Sequence, residues 1–229
     1  MKEILIDAGP IISLTTNSLL WLLEAMQKKA NVKFSIVSSV KHELVDKPLE
    51  TKKFKFEALQ VQRLIEQGML RVIDTPELKK RALQLLETAN TIFWAHKEPI
   101  RIVQLGEMET LAAAVSMGIN KVVMDERITR SLLESPDQLE EMMSRRLHTK
   151  VRVDAKRLDA FRDYTHHIEI IRSAELVTVA YEKGLLDSYV VNVPNARKEL
   201  LDSVLWGVKL NGCSISEDEI REIVEMELK

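Results

Sequence analysis

Four acidic residues carry most of the chemistry legible in this chain: Asp7, Glu43, Glu107 and Asp125. Asp7 closes the run Ile4-Leu5-Ile6-Asp7, and Asp125 closes Val122-Val123-Met124-Asp125. Short, branched apolar runs of this kind read as strands covered on both faces, as in a parallel sheet. A carboxylate at the end of such a strand lies at the carboxyl edge of the sheet, where open α/β folds bind their ligands. Glu107 begins a helical stretch, Gly106-Glu107-Met108-Glu109-Thr110-Leu111-Ala112, and Glu43 sits on a short helix behind the second strand. Carboxylates gathered at one edge repel one another and raise each other's pKa. A hard divalent cation such as Mg²⁺ or Mn²⁺, which takes oxygen ligands, relieves that repulsion.

Each position has a plainer reading as well. Asp7 and Asp125 could satisfy backbone N–H groups at the strand ends. Glu43 fits a solvated helix surface, and Glu107 fits the positive pole of a helix N-terminus. Helix faces separate Glu107 from Glu109. Leu111, Ala114 and Gly118 fall on the stripe of Glu107, the apolar face expected to meet the sheet. Glu109 shares the other side with Ala113 and Ser116. Asp154 follows Val151-Arg152-Val153 in a shorter version of the strand-then-acid pattern and stays outside the main set.

The elements that position these acids follow from pattern and punctuation. Gly9 and Pro10 make the turn after the first strand, and residues 10–30 read as helical. Phe34-Ser35-Ile36-Val37 is the second strand; Ser38 or Ser39 caps the helix from Val40 to Asp46. Residues 52–67 form an amphipathic helix stopped at Gly68, and Leu70-Arg71-Val72-Ile73 is the third strand. Thr75-Pro76 starts a long helix toward His96. Gly106 opens a helix ending at Gly118, and Lys121-Val122-Val123-Met124 is the fourth strand. Helical pieces over 126–147 break at Pro136, Val151-Arg152-Val153 is a fifth, short strand, and the rest is helical. Strands alternating with helices predict an α/β fold, a central parallel sheet of about five strands flanked by helices, with additional C-terminal helices.

The bulk numbers agree with one globular unit. The chain has 229 residues, with 45% hydrophobic and 30% charged residues, enough to bury a sizeable core. A formal net charge of −2 supplies no overall basic field, so nucleic-acid contact would come from local patches or bound cations. The single cysteine, Cys213, allows no internal disulfide and suits a reducing interior. Only three apolar residues stand between Glu3 and Asp7, too few for a leader's apolar core. Runs such as Leu19-Leu20-Trp21-Leu22-Leu23 fall far short of a membrane span. The expectation is a soluble, cytoplasmic protein. Lys52, Lys53 and Lys55 interleave with Phe54 and Phe56, which are expected in the core. The basic stretch from Arg145 to Arg157 could contact phosphates; the favoured expectation is a solvated face balanced by Asp154 and Asp159.

Ile4-Leu5-Ile6-Asp7-Ala8-Gly9-Pro10-Ile11-Ile12 resembles the opening motif of PIN-domain proteins. Val40-Lys41-His42-Glu43-Leu44 looks like their second acidic position, Gly106-Glu107-Met108-Glu109-Thr110-Leu111-Ala112 is similar to their Gly-Glu-x-Glu helix, and Val122 to Arg127 resembles the strand and acid that complete the set. Residues 170–225 look more loosely like the tail of a prokaryotic subgroup. The chain then reads as one domain over 1–229, with an insertion at 131–168 and a helical C-terminal extension at 169–229. Ala8 departs from the hydroxyl residue that many PIN proteins place after the first Asp. The resemblance implies a Mg²⁺- or Mn²⁺-dependent endoribonuclease, often homodimeric, serving as a toxin paired with an antitoxin or in RNA processing. Asp7 and Asp125 would be principal ligands, Glu107 a ligand or water positioner, and Glu43 an outer ligand. The alternatives are a catalytically silent PIN-like module that binds RNA or a protein partner, and, more remotely, a signalling domain phosphorylated on Asp.

Overall fold

The computed structural model describes residues 2–227. In chain order the elements are β1 (Lys2–Ile6), α1 (Ala8–Thr16), α2 (Leu22–Ala30), β2 (Val32–Val37) and α3 (Ser38–Lys41). A π turn (His42–Asp46) leads into α4 (Lys47–Leu49), α5 (Lys55–Glu66), β3 (Leu70–Ile73) and α6 (Pro76–Ala89). Next come β4 (Phe93–Ala95), β5 (Glu98–Pro99), α7 (Leu105–Met117), β6 (Lys121–Val123), α8 (Arg127–Glu134) and α9 (Pro136–Leu147). The chain continues with β7 (Arg152–Val153), α10 (Ala155–Thr165), β8 (Glu169–Ile171) and α11 (Ser173–Glu182), and the described residues end with α12 (Ala196–Leu210) and α13 (Glu217–Glu227).

The fold is α/β. Five strands form a parallel sheet in the order β3-β2-β1-β6-β8, flanked by helices. Leu5 lies opposite Ser35 on one side and Val122 on the other, and Val122 lies opposite Ile170. The chain steps outward from β1 through β2 to β3, then crosses back to place β6 on the free side of β1. The order reverses between β1 and β6, so the crevice of the sheet opens there. Among the described residues no helix is long and apolar enough to cross a membrane.

Several local expectations give way. The fifth sheet strand is Glu169–Ile171, not Val151–Val153. Ile170 and Ile171 pack against the main core, whereas Val151 is buried in a second cluster. Arg152–Val153 pairs antiparallel with β4 in a separate sheet, β5-β4-β7. The helix expected to run from Thr75 toward His96 ends at Ala89. The Asn90 side chain then accepts from the N–H groups of Ile102 (2.7 Å) and Val103 (3.0 Å) and donates to the Val103 carbonyl (3.0 Å). That clamp holds a hairpin whose two-residue loop, His96-Lys97, has positive φ at both positions (50° and 70°). Such loops ordinarily carry Asn-Gly or Asp-Gly, so the hairpin has no glycine to announce it. The helix expected over 10–30 is two helices, broken where Ser18 takes φ 58°. The helix behind β2 starts at Ser38 rather than Val40, and the π turn carries it past Pro48.

The two apolar clusters divide the molecule. The main one fills both faces of the sheet, with Leu5, Phe34, Ile36 and Val122 at its centre. The second joins the end of α6 and the β4-β5 hairpin to α8, α9 and α10, around Phe93, Leu111, Leu132 and Phe161. Helix α7 contributes to both, with Met108 and Leu111 to the second and Ala112, Ala113 and Ala114 to the first. Truncating a fully buried Phe costs about 3–5 kcal/mol. Phe34→Ala and Phe161→Ala should each shift a single urea transition by that amount. A separate early transition in Phe161→Ala would show that the second cluster unfolds on its own.

Candidate active site

The carboxyl edge of the sheet is polar from end to end. In spatial order the residues just past the strands are Asp74 (β3), Ser38 (β2), Asp7 (β1), two residues past β6 Asp125, and Arg172 and Ser173 (β8). Asp7 and Asp125 flank the point where strand order reverses. Their segments are tied together: the Asp7 N–H donates to the Val123 carbonyl at 2.9 Å. Gly9 lies in the first turn of α1, not in a special turn, and a Cβ there would sit 3.6 Å from the Cβ of Asp125. Pro10 is the third residue of α1, where its missing N–H is still outside the helix ladder.

Asp7 precedes α1 at the cap position, yet its side chain does not cap the helix. Its carboxylate is buried and has no cationic partner among the described residues. Burial first, then the charges of Glu107, Glu43 and Asp125, together push its pKa from 3.8 up to about 7 against the lowering effect of the Ala8 N–H. These couplings place all four expected acids around one locus. Glu107 lies at the start of α7, where its Oε2 accepts from the Gln104 N–H (2.9 Å) and from the Thr129 hydroxyl (3.0 Å). Burial raises its pKa, only partly offset by those two bonds. Asp125 is held through both oxygens: Ser173 donates its N–H to Oδ1 (2.7 Å) and its hydroxyl to Oδ2 (2.8 Å). Burial outweighs these bonds, and its pKa too is raised. Glu43 is exposed, on the π turn at the rim. π turns are rare and concentrate at functional sites.

Glu109 corrects the helix-face argument. It is more deeply buried than Glu107, at 2% exposure, because α7 is enclosed on nearly every side. Its carboxylate accepts from the Ser38 hydroxyl (3.0 Å) and the Ser39 N–H (3.0 Å). It therefore caps α3 from another helix and ties α7 to the end of β2. Cys213 lies beside Asp125, where burial and that carboxylate push its thiol up to about 12, which disfavours the thiolate at neutral pH. Asp154 caps α10 through the Arg157 N–H (3.2 Å), away from the edge. Phe54 and Phe56, expected in the core, are 47% and 71% exposed. The buried face of α5 is Ala58, Val61 and Leu64. Phe54 and Glu43 share the wall of one small apolar pocket.

As the side chains stand, no three acidic, His or Cys groups among the described residues are gathered closely enough to enclose an ion. The donors nonetheless suit a hard divalent cation in kind: carboxylate oxygens only, three of them buried and none neutralised by Lys or Arg among the described residues. Asp7, Glu107 and Asp125 would hold it, with Glu43 outermost. Sequence reasoning passed over Thr129 and Ser173, which orient two of these acids. The signal for Ser173 is positional, a hydroxyl opening a helix after Ile170-Ile171.

No family model, curated protein or solved structure matches the chain, so the chemistry of this edge rests on its own geometry. The Asp7 shift has a definite sign. The folded chain holds this proton more tightly than the unfolded chain does. In metal-free protein, stability is therefore full below about pH 4 and falls as pH rises toward about 7. The loss from this one group is of order 4 kcal/mol. Asp7→Asn should raise the melting temperature at pH 8 and change it little at pH 4. A variant less stable than wild type at pH 8 would mean that the native carboxylate is paired.

Proposed function

We propose that this chain is a divalent-metal-dependent ribonuclease of the PIN kind. The observation that carries the reading is the placement of Asp7 and Asp125 at the strand-order reversal, joined by Glu107, with no cation to neutralise them among the described residues. Uncompensated buried carboxylates cost several kcal/mol in general, and buried acids with raised pKa cluster at functional sites. Asp7, Glu107 and Asp125 would hold a Mg²⁺ or Mn²⁺ ion, which would supply Lewis acidity toward a water and a phosphate oxygen.

The chain's own residues divide the remaining work. Ser173 holds Asp125 through both oxygens, so that carboxylate keeps one orientation. Thr129 and the Gln104 N–H hold Oε2 of Glu107, and its other oxygen has no hydrogen-bond partner among the described residues. Asp7, raised to about 7 by burial and its acidic neighbours in the metal-free protein, would give up its proton as an ion is taken up, so Mn²⁺ affinity should rise with pH through neutrality. RNA as the substrate draws on the motif resemblance and on the exposed Phe54 and Phe56. Bases stack on such rings, and Lys52, Lys53 and Lys55 beside them suit a phosphate backbone.

A second reading, a silent module that binds a protein partner, draws on the exposed apolar residues Tyr189, Val190, Val191 and Val193. Calorimetric titration of Mn²⁺ separates the two. Wild type should bind Mn²⁺ and cleave labelled single-stranded RNA. Asp7→Asn and Asp125→Asn should lose both, by more than the roughly 10–100-fold that altering an outer residue costs. Glu43→Gln should fall within that lower range. Wild-type protein that binds no Mn²⁺ would overturn the nuclease reading.

A further inference from the structure

A polar cavity opens near Arg172 and Ser173, the segment that anchors Asp125. It measures about 380 Å³ and is walled by Arg127, Arg130, Lys209, Ser214, Ser216 and Glu219, within the size range of small-ligand sites. Its one carboxylate is already engaged. Glu219 accepts from Arg172 at 2.8 Å and from the Ser216 N–H at 2.8 Å. Arg127, Arg130 and Lys209 make no ion pair among the described residues. Lys209 Nζ instead donates to the Ile215 carbonyl (2.6 Å), and Arg130 reaches toward the Ser214 carbonyl (3.5 Å).

Lys209 lies in the last turn of α12 and stands over the Trp206 ring, 5.6 Å from its centroid, so the fold itself favours that cation. Helix electrostatics does not favour the two arginines: Arg127 opens α8, Arg130 follows three residues later, and the one acid at that end is the cap residue Glu126, whose side chain is engaged by the Ile128 N–H. Positive charge is disfavoured at a helix N-terminus, and like charges three residues apart repel. The Ser216 hydroxyl, in the wall of the same cavity, accepts from the Glu219 N–H (3.1 Å) and keeps its own proton to donate. Arginine, lysine and hydroxyl donors around one cavity match the acceptor oxygens of phosphate.

The cavity is also wired to the acidic edge. Ser173 binds both oxygens of Asp125, and its neighbour Arg172 donates to the Ser214 carbonyl at 3.0 Å. Cys213 packs by Asp125 and Ser214 lines the cavity, so two short segments bridge the two places. We propose that the Arg127–Arg130–Lys209 cavity binds a backbone phosphate of a nucleic-acid strand, next to the one held at the acidic edge. The choice of a nucleic-acid phosphate rests on the nuclease reading; the anion site itself does not.

The test uses full-length protein in EDTA, so that no metal contributes. Anisotropy of a labelled single-stranded RNA is followed across a salt series, with inorganic phosphate as competitor. Arg127 is exposed, so Arg127→Glu is expected to fold, and Arg145→Glu serves as an exposed control away from the cavity. The expected result is RNA binding weakened at least several-fold by Arg127→Glu and Lys209→Ala. The slope of log affinity against log salt should fall by about 0.7 for each phosphate that the variant no longer neutralises. Arg145→Glu should show neither change. Affinity and slope unchanged in Arg127→Glu would overturn the proposal. So would inorganic phosphate binding that depends on Arg127 with no effect on RNA, which would identify a free-phosphate site. Cleavage failing while RNA binding still depends on Arg127 would sink the nuclease reading and leave this site standing.

Discussion

A parallel sheet covered on both faces has only the ends of its strands for polar groups, and the carboxyl edge of this one concentrates negative charge. Asp7 and Asp125 sit on neighbouring strands where the order reverses, and Glu107 joins them from α7. Burial raises the pKa of all three. The edge answers that cost unevenly. Ser173 gives Asp125 two short hydrogen bonds, Glu107 has two donors on one oxygen, and Asp7 has only the adjacent N–H to lower its pKa. The least compensated group, Asp7, follows β1, the central strand of the sheet.

Not every buried acid belongs to that site. Glu109 lies two residues from Glu107 and is more deeply buried, but both its oxygens are occupied by Ser38 and Ser39. It joins helix to sheet, and its charge is offset at the N-terminus of α3. Arg172 has the mirror role on the other side. It is buried, pairs with Glu175 and Glu219, and binds the Ser214 carbonyl, so it pins the C-terminal helices to the end of β8. The acids that could do chemistry are those that the fold leaves incompletely partnered.

The stretch around 131–168 is not peripheral to this arrangement. Its helices build the second apolar cluster with the β4-β5 hairpin, and α7 threads both clusters. Thr129, which orients Glu107, stands on α8 at the boundary between them. Packing in the second cluster therefore bears on the geometry at the sheet edge through one helix and one hydroxyl.

Local signals in the chain suffice for the strands β1, β2, β3 and β6, the α/β class, the helix from about Gly106 to Gly118 and the placement of Asp7 and Asp125. Those signals are branched apolar runs, glycine and proline punctuation, and a carboxylate at a strand end. Long-range packing was needed to make Glu169–Ile171 the strand that completes the sheet while Val151–Val153 pairs elsewhere. Both are runs too short to rank by pattern, and only the partner across the ladder separates them. Packing also produced the His96-Lys97 hairpin, whose positive φ values are carried by residues that do not advertise them. It turned Phe54 and Phe56 outward, because burial of α5 follows the face that meets its neighbours rather than the hydrophobicity of single residues. And it buried Glu109 beside Glu107: a helix enclosed on nearly all sides has no solvent face, so periodicity could not tell a capping acid from a site acid. Hydrogen-bond partners 70 residues away made that distinction.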